Sequence, residues 1–214
     1  MNTPGSFVCY APQTCADIKS HVPGSADGTY KMYLGGNTSK PWQGFCAGMA
    51  GTPKEYLSLT GTNVAQYTQG GKSPGTDVKT TYTKVHFDPA TLKIDISDRT
   101  FATSTGMLNH AGSGTMVTSM PYGVAMDCVS PNSKTGVAQI DLTGTSFALV
   151  VTNAFAEGGV QVASGIQLAA GNQRATLNGG GNCGWFGPVN TPFNPFNNAA
   201  TSTNGTILQL VYAP

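Results

Sequence analysis

Gly71-Lys72-Ser73-Pro74-Gly75 fits the bare GxSxG pattern of a serine-hydrolase elbow, but the chemistry fails at the residue after the serine. An oxyanion hole draws on that residue's backbone N–H, and Pro74 has none; no buried strand precedes the run either. It reads as a solvated turn. The three histidines, His21, His86 and His110, form no HExxH, no HxxEH and no close pair, so local spacing writes no zinc-protease site. A metal site would have to be assembled from distant residues. His86, Asp88, Asp95, Asp98, His110 and Asp127 are the ligands to inspect, against the ordinary reading that a lone polar side chain on a strand face is solvated. Zinc or calcium is the ion such a set would take; the sequence itself implies no cofactor.

Carboxylates are scarce, with Glu55 and Glu157 the only glutamates, and nothing places two acids at a glycosidase separation. Glu55 reads as a partner of Lys54 or of a backbone N–H near the second cysteine, and Asp127 beside Cys128 takes the same structural reading. Aromatic rings could stack on sugars, and Trp42, Tyr82, Trp185, Phe193 and Phe196 are the binding candidates, with core packing as the plainer reading of the tryptophans.

The charged fraction is 10%, far under the roughly 25% of an ordinary soluble domain, and the net charge is +1. No lysine or arginine cluster is present, which leaves no footprint for nucleic acid and no polybasic patch for a membrane. The apolar runs are far shorter than the roughly 20 residues that a bilayer span needs. The first residues lack a basic and an apolar leader region, so any secretion signal is expected to have been removed or to lie upstream in a larger precursor.

Cys9, Cys15, Cys46, Cys128 and Cys183 are widely spaced and contain no CxxC, which points to structural disulfides rather than a zinc knuckle. The preferred pairing is Cys15 with Cys46 and Cys128 with Cys183, each loop contributing about 3.5 to 4.5 kcal/mol of chain entropy. Cys9 is left to pair upstream, to join two molecules, or to replace Cys15. If they form, such bridges place the protein in a secreted setting, extracellular or periplasmic.

Thr14 as N-cap with Asp17 three residues on predicts one short helix, ended near Pro23-Gly24. Beyond it the chain reads as strands. Thr29 to Leu34 is rich in β-branched and aromatic residues; Lys40-Pro41-Trp42 crosses a loop; Thr80 to Phe87 alternates and turns through Asp88-Pro89-Ala90-Thr91 into Leu92, Ile94 and Ile96 as a hairpin. Ala138 to Leu142, Ser146 to Val151 and Leu208 to Tyr212 are further strands, and Asn178 to Asn204 reads as a long surface loop tied down by Cys183. The fold class is mainly β: a single sandwich- or barrel-like domain of many short antiparallel strands with one short N-terminal helix.

Cys15 to Leu59, with its Gly48-Met49-Ala50 and Pro53-Lys54-Glu55-Tyr56-Leu57, together with Pro121-Tyr122-Gly123-Val124-Ala125-Met126-Asp127-Cys128, Ile140-Asp141-Leu142-Thr143-Gly144-Thr145 and Gly181-Asn182-Cys183-Gly184, resembles the GON domain. That module stands at the C-terminus of some ADAMTS-type metalloproteases and, in a shorter form, in secreted bacterial proteins. Animal members carry more cysteines in the later part, so a simpler disulfide network is expected here. The resemblance implies an extracellular, disulfide-containing, non-catalytic accessory domain, and any protease activity belongs to a separate domain. Residues 1–13 are expected to be an extension and 14–214 one GON-like domain.

The resulting expectation is a secreted binding module for an extracellular polymer, either matrix protein or polysaccharide, acting as a monomer or within a larger precursor. The alternative is a small secreted hydrolase, a metal-dependent peptidase or glycan hydrolase, with a site assembled from distant residues. A structural spacer is the third reading.

Overall fold

The structure, a computed structural model, describes residues 10–158, 165–188, 193–194, 199–200 and 207–214. The helix α1 (Cys15–His21) forms where the sequence places it: Thr14 Oγ1 accepts from Asp17 N, and the Asp17 carboxylate accepts from Thr14 N, a capping box that satisfies donors at the positive end. In chain order the strands are β1 (Gly28–Tyr33), β2 (Pro41–Ala47), β3 (Lys54–Ser58), β4 (Val64–Thr68), β5 (Val78–Tyr82), β6 (Lys84–Asp88) and β7 (Lys93–Asp95). There follow β8 (Ala102–Thr105), β9 (Leu108–Asn109), β10 (Met116–Val117), β11 (Ala125–Asp127), β12 (Gly136–Asp141), β13 (Phe147–Leu149) and β14 (Phe155–Gly158). The last are β15 (Ile166–Ala169), β16 (Arg174–Gly179), β17 (Gly184–Pro188), β18 (Phe193–Asn194), β19 (Ala199–Ala200) and β20 (Ile207–Tyr212).

A seven-stranded sheet runs in the order β1-β2-β3-β6-β7-β20-β13. A nine-stranded sheet runs β14-β17-β11-β4-β12-β16-β15, with β5 also on β4 and β8 on β5. This second sheet branches: one side of β4 meets β5 along its length, while its Val64 and Ala65 pair with β12 and its Tyr67 and Thr68 with β11. The β4–β11 pairing is parallel, an exception to the expected antiparallel pattern. The branch lets the sheet curl. The mainly β expectation, with one α-helix among the described residues, holds.

The two sheets and α1 share one core. In the first sheet Met32, Trp42, Leu57, Val85, Phe87 and Ile94 point inward; in the second, Ala65, Tyr67, Val78, Tyr82, Ala138, Ile140 and Leu177 do so, with Ile96, Tyr122 and Val124 also in the cluster. Burial of such side chains at about 25 cal/mol per Å² is the main folding term. Asn63 ties the linking segment to the second sheet: it is 1% exposed, receives the Tyr122 hydroxyl at 2.6 Å and the Asp141 N–H, and donates to two carbonyls. A buried amide so fully paired fixes the path of the chain rather than destabilising it.

Three local expectations are corrected. Thr80 to Phe87 is not one strand: β5 ends at Tyr82 and β6 begins at Lys84 in the other sheet, so Thr83 is where the chain changes layers. Pro41 and Trp42 lie inside β2, where Pro41 opens the strand and has no need of a donor. Within Asn178 to Asn204, β17 is an internal strand of the second sheet, between β14 and β11.

The sulfur framework is as preferred, with Cys15 bonded to Cys46 and Cys128 to Cys183. Cys9 and Phe196, and with them the expectations attached to each, lie outside the described residues. No helix among the described residues is long and apolar enough to cross a membrane.

Candidate functional site

Three polar groupings are assembled from residues far apart in sequence. The first lies on the outer face of the seven-stranded sheet, where strand register brings Phe45, Tyr56, His86 and Asp95 into one cross-strand row. The segment after β7 folds over this row. Phe101 meets Tyr56 edge-on with ring centroids 4.8 Å apart, and Lys84 Nζ sits 4.5 Å from the Phe45 ring centre and 4.6 Å from that of Phe101. His86 Nδ1 is 3.8 Å from a carboxylate oxygen of both Asp95 and Asp98. Tyr56 donates to Asp98 at 3.1 Å, and Lys54 Nζ stands 4.0 Å from the same carboxylate.

Burial works against ionisation of Asp95, but His86 and the hydroxyl and N–H of Ser97 outweigh it and hold its pKa at about 2. Asp98 is also held low: burial opposes ionisation, and the Thr100 N–H and hydroxyl, Tyr56 and His86 overcome it. Three of the six metal candidates therefore meet here, His86, Asp95 and Asp98, but with Lys54 beside them the arrangement is a paired charge network. It pins the 97–101 segment to the sheet. Asp88 belongs elsewhere: its carboxylate accepts from Ala90 N at 2.8 Å and Thr91 Oγ1 at 2.6 Å, closing the turn between β6 and β7.

The second grouping is buried. Tyr67 Oη lies 2.9 Å from Ser73 Oγ, 2.7 Å from His110 Nδ1 and 2.8 Å from Cys128 Sγ. Ser73 is fully buried and its Oγ accepts from Ala111 N at 2.9 Å. The serine of the GxSxG run is thus enclosed, which corrects the expectation of a solvated turn and denies it a substrate. Burial raises the Tyr67 pKa to about 12 and lowers that of His110, so both are neutral near pH 7.

Next to this knot the Asp127 carboxylate, fully buried, accepts from Ser133 Oγ at 2.5 Å, from Thr135 N at 2.7 Å and Oγ1 at 3.1 Å, and from Gly136 N at 3.3 Å and Gly181 N at 3.0 Å. Its lone pairs are taken up by donors, which gives it the structural role read from the sequence. Glu55 likewise anchors backbone: Oε1 accepts from Cys15 N at 2.6 Å, across from Cys46 in the β2–β3 register.

The third grouping is open. Along the outer face of the nine-stranded sheet, register aligns Thr103, Thr81, Val64, Gln139, Thr176 and Gln167 on six successive strands. At about 4.8 Å per strand the row is roughly 24 Å long. Beside it, Arg174 lies between Asp141 and Ala169 in the register. Two shallow depressions of about 220 and 240 Å³ share Arg174, Ala175 and Thr176; the first also takes in Thr62, Gln139 and Asp141, the second Gln167 and Ala169. Among the described residues, Arg174, Gln139, Thr176, Gln167, Thr81 and Thr103 have no hydrogen-bond or ion-pair partner for their side chains. Among the described residues no aromatic ring lines these depressions, and the period-2 pattern of any one strand does not reveal the row.

The aromatic candidates lie elsewhere. Trp42 and Tyr82 are each 2% exposed: Trp42 packs edge-on against Phe87 and Phe147, and Tyr82 donates to Met120 O, so neither can stack on a ligand. Trp185 is half-buried in β17 with its indole over Gly158, and Phe193 lies in β18.

No curated protein and no solved structure matches the chain. The family model of the GON domain matches residues 71–192, more than half of the chain. This stretch carries His86, Asp95 and Asp98 of the charge network, the Asp127 anchor, the second disulfide and most of the open row, and it begins after α1 and the first disulfide. By that match the chain is a member of the GON domain family.

Proposed function

We propose that this GON domain is an extracellular binding module that holds a neutral polysaccharide strand on the outer face of its nine-stranded sheet. The observation that carries this reading is the row from Thr103 to Gln167, with Arg174 at its side: apart from the buried Val64, these are hydroxyls, amides and one guanidinium, exposed or half-exposed and free of partners among the described residues. Sugar hydroxyls both donate and accept, as do the amide and hydroxyl side chains of the row, and the guanidinium adds further donors. A row that crosses six strands over roughly 24 Å suits an extended chain better than a compact ligand. Two disulfides fit an oxidising extracellular setting and support secretion. The core shared by both sheets from Cys15 to Leu210 supports residues 14–214 as one unit.

For the glycan-hydrolase alternative, the acids that meet are Asp95 and Asp98, beside His86. Both carboxylates are held below their ordinary range, so neither is a proton donor near neutral pH, which a glycosidase acid must be. Retention of the oxidised protein on insoluble polysaccharides, compared with immobilised matrix proteins, tests the proposal. Retention on matrix protein alone would replace the polysaccharide, and retention on neither would remove the binding role.

A further inference from the structure

Cys128, Cys183 and His110 bring a sulfur, a sulfur and a ring nitrogen within 4.8 Å of one another. In the oxidised protein the two sulfurs are bonded. Their surroundings suit them equally as separate ligands. Tyr67 Oη is 2.8 Å from Cys128 Sγ and 2.7 Å from His110 Nδ1, Ser73 Oγ backs the tyrosine at 2.9 Å, and Tyr67, Ser73 and Cys128 are fully buried. Cys183 is half-buried and sits at φ 73°, a left-handed conformation uncommon for a side-chain-bearing residue. It is the more exposed residue of the pair and the one on the strained backbone.

We propose that Cys128, Cys183 and His110 form a zinc-class metal site when the second disulfide is open, so that this corner of the domain is closed either by a sulfur–sulfur bond or by a metal ion. Opening takes two equivalents of a thiol reductant. The first thiolate attacks Cys183 Sγ, breaks its bond to Cys128 and releases the Cys128 thiolate next to the Tyr67 hydroxyl. The second attacks the mixed disulfide, frees the Cys183 thiolate and leaves the reductant oxidised as its own disulfide. Two electrons pass from reductant to protein, and the two protons of the thiols go to solvent when the metal takes both thiolates. Two thiolates and an imidazole are the soft and borderline donors that zinc prefers, and a tetrahedral site has its fourth position left for water or the Tyr67 phenol.

The site also has a structural reason to exist. Asp127 and the 180–184 segment are held next to it by the Gly181 N–H, so the ligands keep their places when the sulfur bond is cut. Metal would then hold the reduced chain folded until oxidation locks it.

The test uses the full chain reduced with a phosphine under argon and titrated with cobalt(II), then zinc(II), with circular dichroism recorded alongside. Expected is one equivalent of cobalt with thiolate charge-transfer and tetrahedral ligand-field absorption, displaced by zinc, and a higher melting temperature for the zinc form than for the reduced apo form. The same spectrum should persist in Cys15→Ser/Cys46→Ser and vanish in Cys128→Ser, while His110→Gln should weaken zinc binding at least ten-fold. Should a variant fail to fold, the wild-type chain decides, since zinc must raise the melting temperature of its reduced form or refold it. A reduced protein that binds no cobalt through thiolate, a spectrum that survives Cys128→Ser, or zinc affinity unchanged in His110→Gln overturns the proposal.

Discussion

The Asp127 carboxylate receives the backbone N–H of Gly181 at 3.0 Å, across 54 residues of sequence. This bond holds the end of β11 against the segment that leads to Cys183, and Ser133, Thr135 and Gly136 complete the shell around the same carboxylate. Removing the acceptor leaves several buried N–H groups without partners. Asp127→Ala is expected to cost about 3 kcal/mol or more, read from urea denaturation of the oxidised protein. A loss under about 1 kcal/mol would show that water or a rearranged turn replaces the carboxylate.

Gly136 and Gly179 are partners in the β12–β16 register, and the backbone of β11 lies directly on them. A Cβ on Gly136 would overlap Met126 O and one on Gly179 would overlap Ala125 O, in each case backbone that cannot turn away as a side chain can. Either alanine substitution should therefore destabilise by about 1–3 kcal/mol or more through overpacking. Unchanged melting in both would mean that β11 does not cross there.

How much of this was readable beforehand differs by element. The capping box of α1 and the β6–β7 turn are written in contiguous residues, Thr14 with Asp17 and Asp88 with Thr91, so local chemistry gives them away. The change of sheet at Thr83 is not, because side-chain alternation runs through it unbroken and says nothing about which sheet a strand joins. The cysteine pairing preferred from the sequence matches the bonds found, although wide spacing by itself points to disulfides and not to their connectivity. Ser73 was misread because a Gly- and Pro-rich turn looks exposed until Tyr67 and Ala111 are seen to enclose it. The Thr103-to-Gln167 row could not be read at all: its six residues sit on six strands whose register is set by the fold.

Stability should respond to acid through the His86 network. The folded pKa of Asp95 is lowered to about 2, so its stabilising effect is present above the ordinary carboxylate value of about 4 and is lost as pH falls toward 2. Asp98 shifts in the same direction. Because Asp95 is more than a third exposed, a contribution of about 1 kcal/mol is expected after solvent screening. Asp95→Asn should flatten the fall in melting temperature between pH 4 and pH 2, roughly the span between its two values. An identical acid profile in that variant would show that the network contributes nothing.

The first disulfide closes 31 residues between α1 and β2, and Glu55 holds the Cys15 N–H alongside it. Cys15→Ser/Cys46→Ser should lose about 3.5 kcal/mol by the chain-entropy estimate. Calorimetry of the double variant against oxidised wild type measures it. Equal melting temperatures would mean that helix packing and Glu55 already fix this corner.

Arg174 carries the proposed function, because it joins the two depressions beside the row and is exposed without a partner among the described residues. The most direct measurement is retention of the oxidised domain on insoluble neutral polysaccharides, with Arg174→Ala/Gln139→Ala run beside wild type and its melting temperature checked. Wild type should be held and the double variant released with its melt unchanged. A wild-type protein that washes through, or a variant held equally well, would contradict a binding role for this face of the sheet.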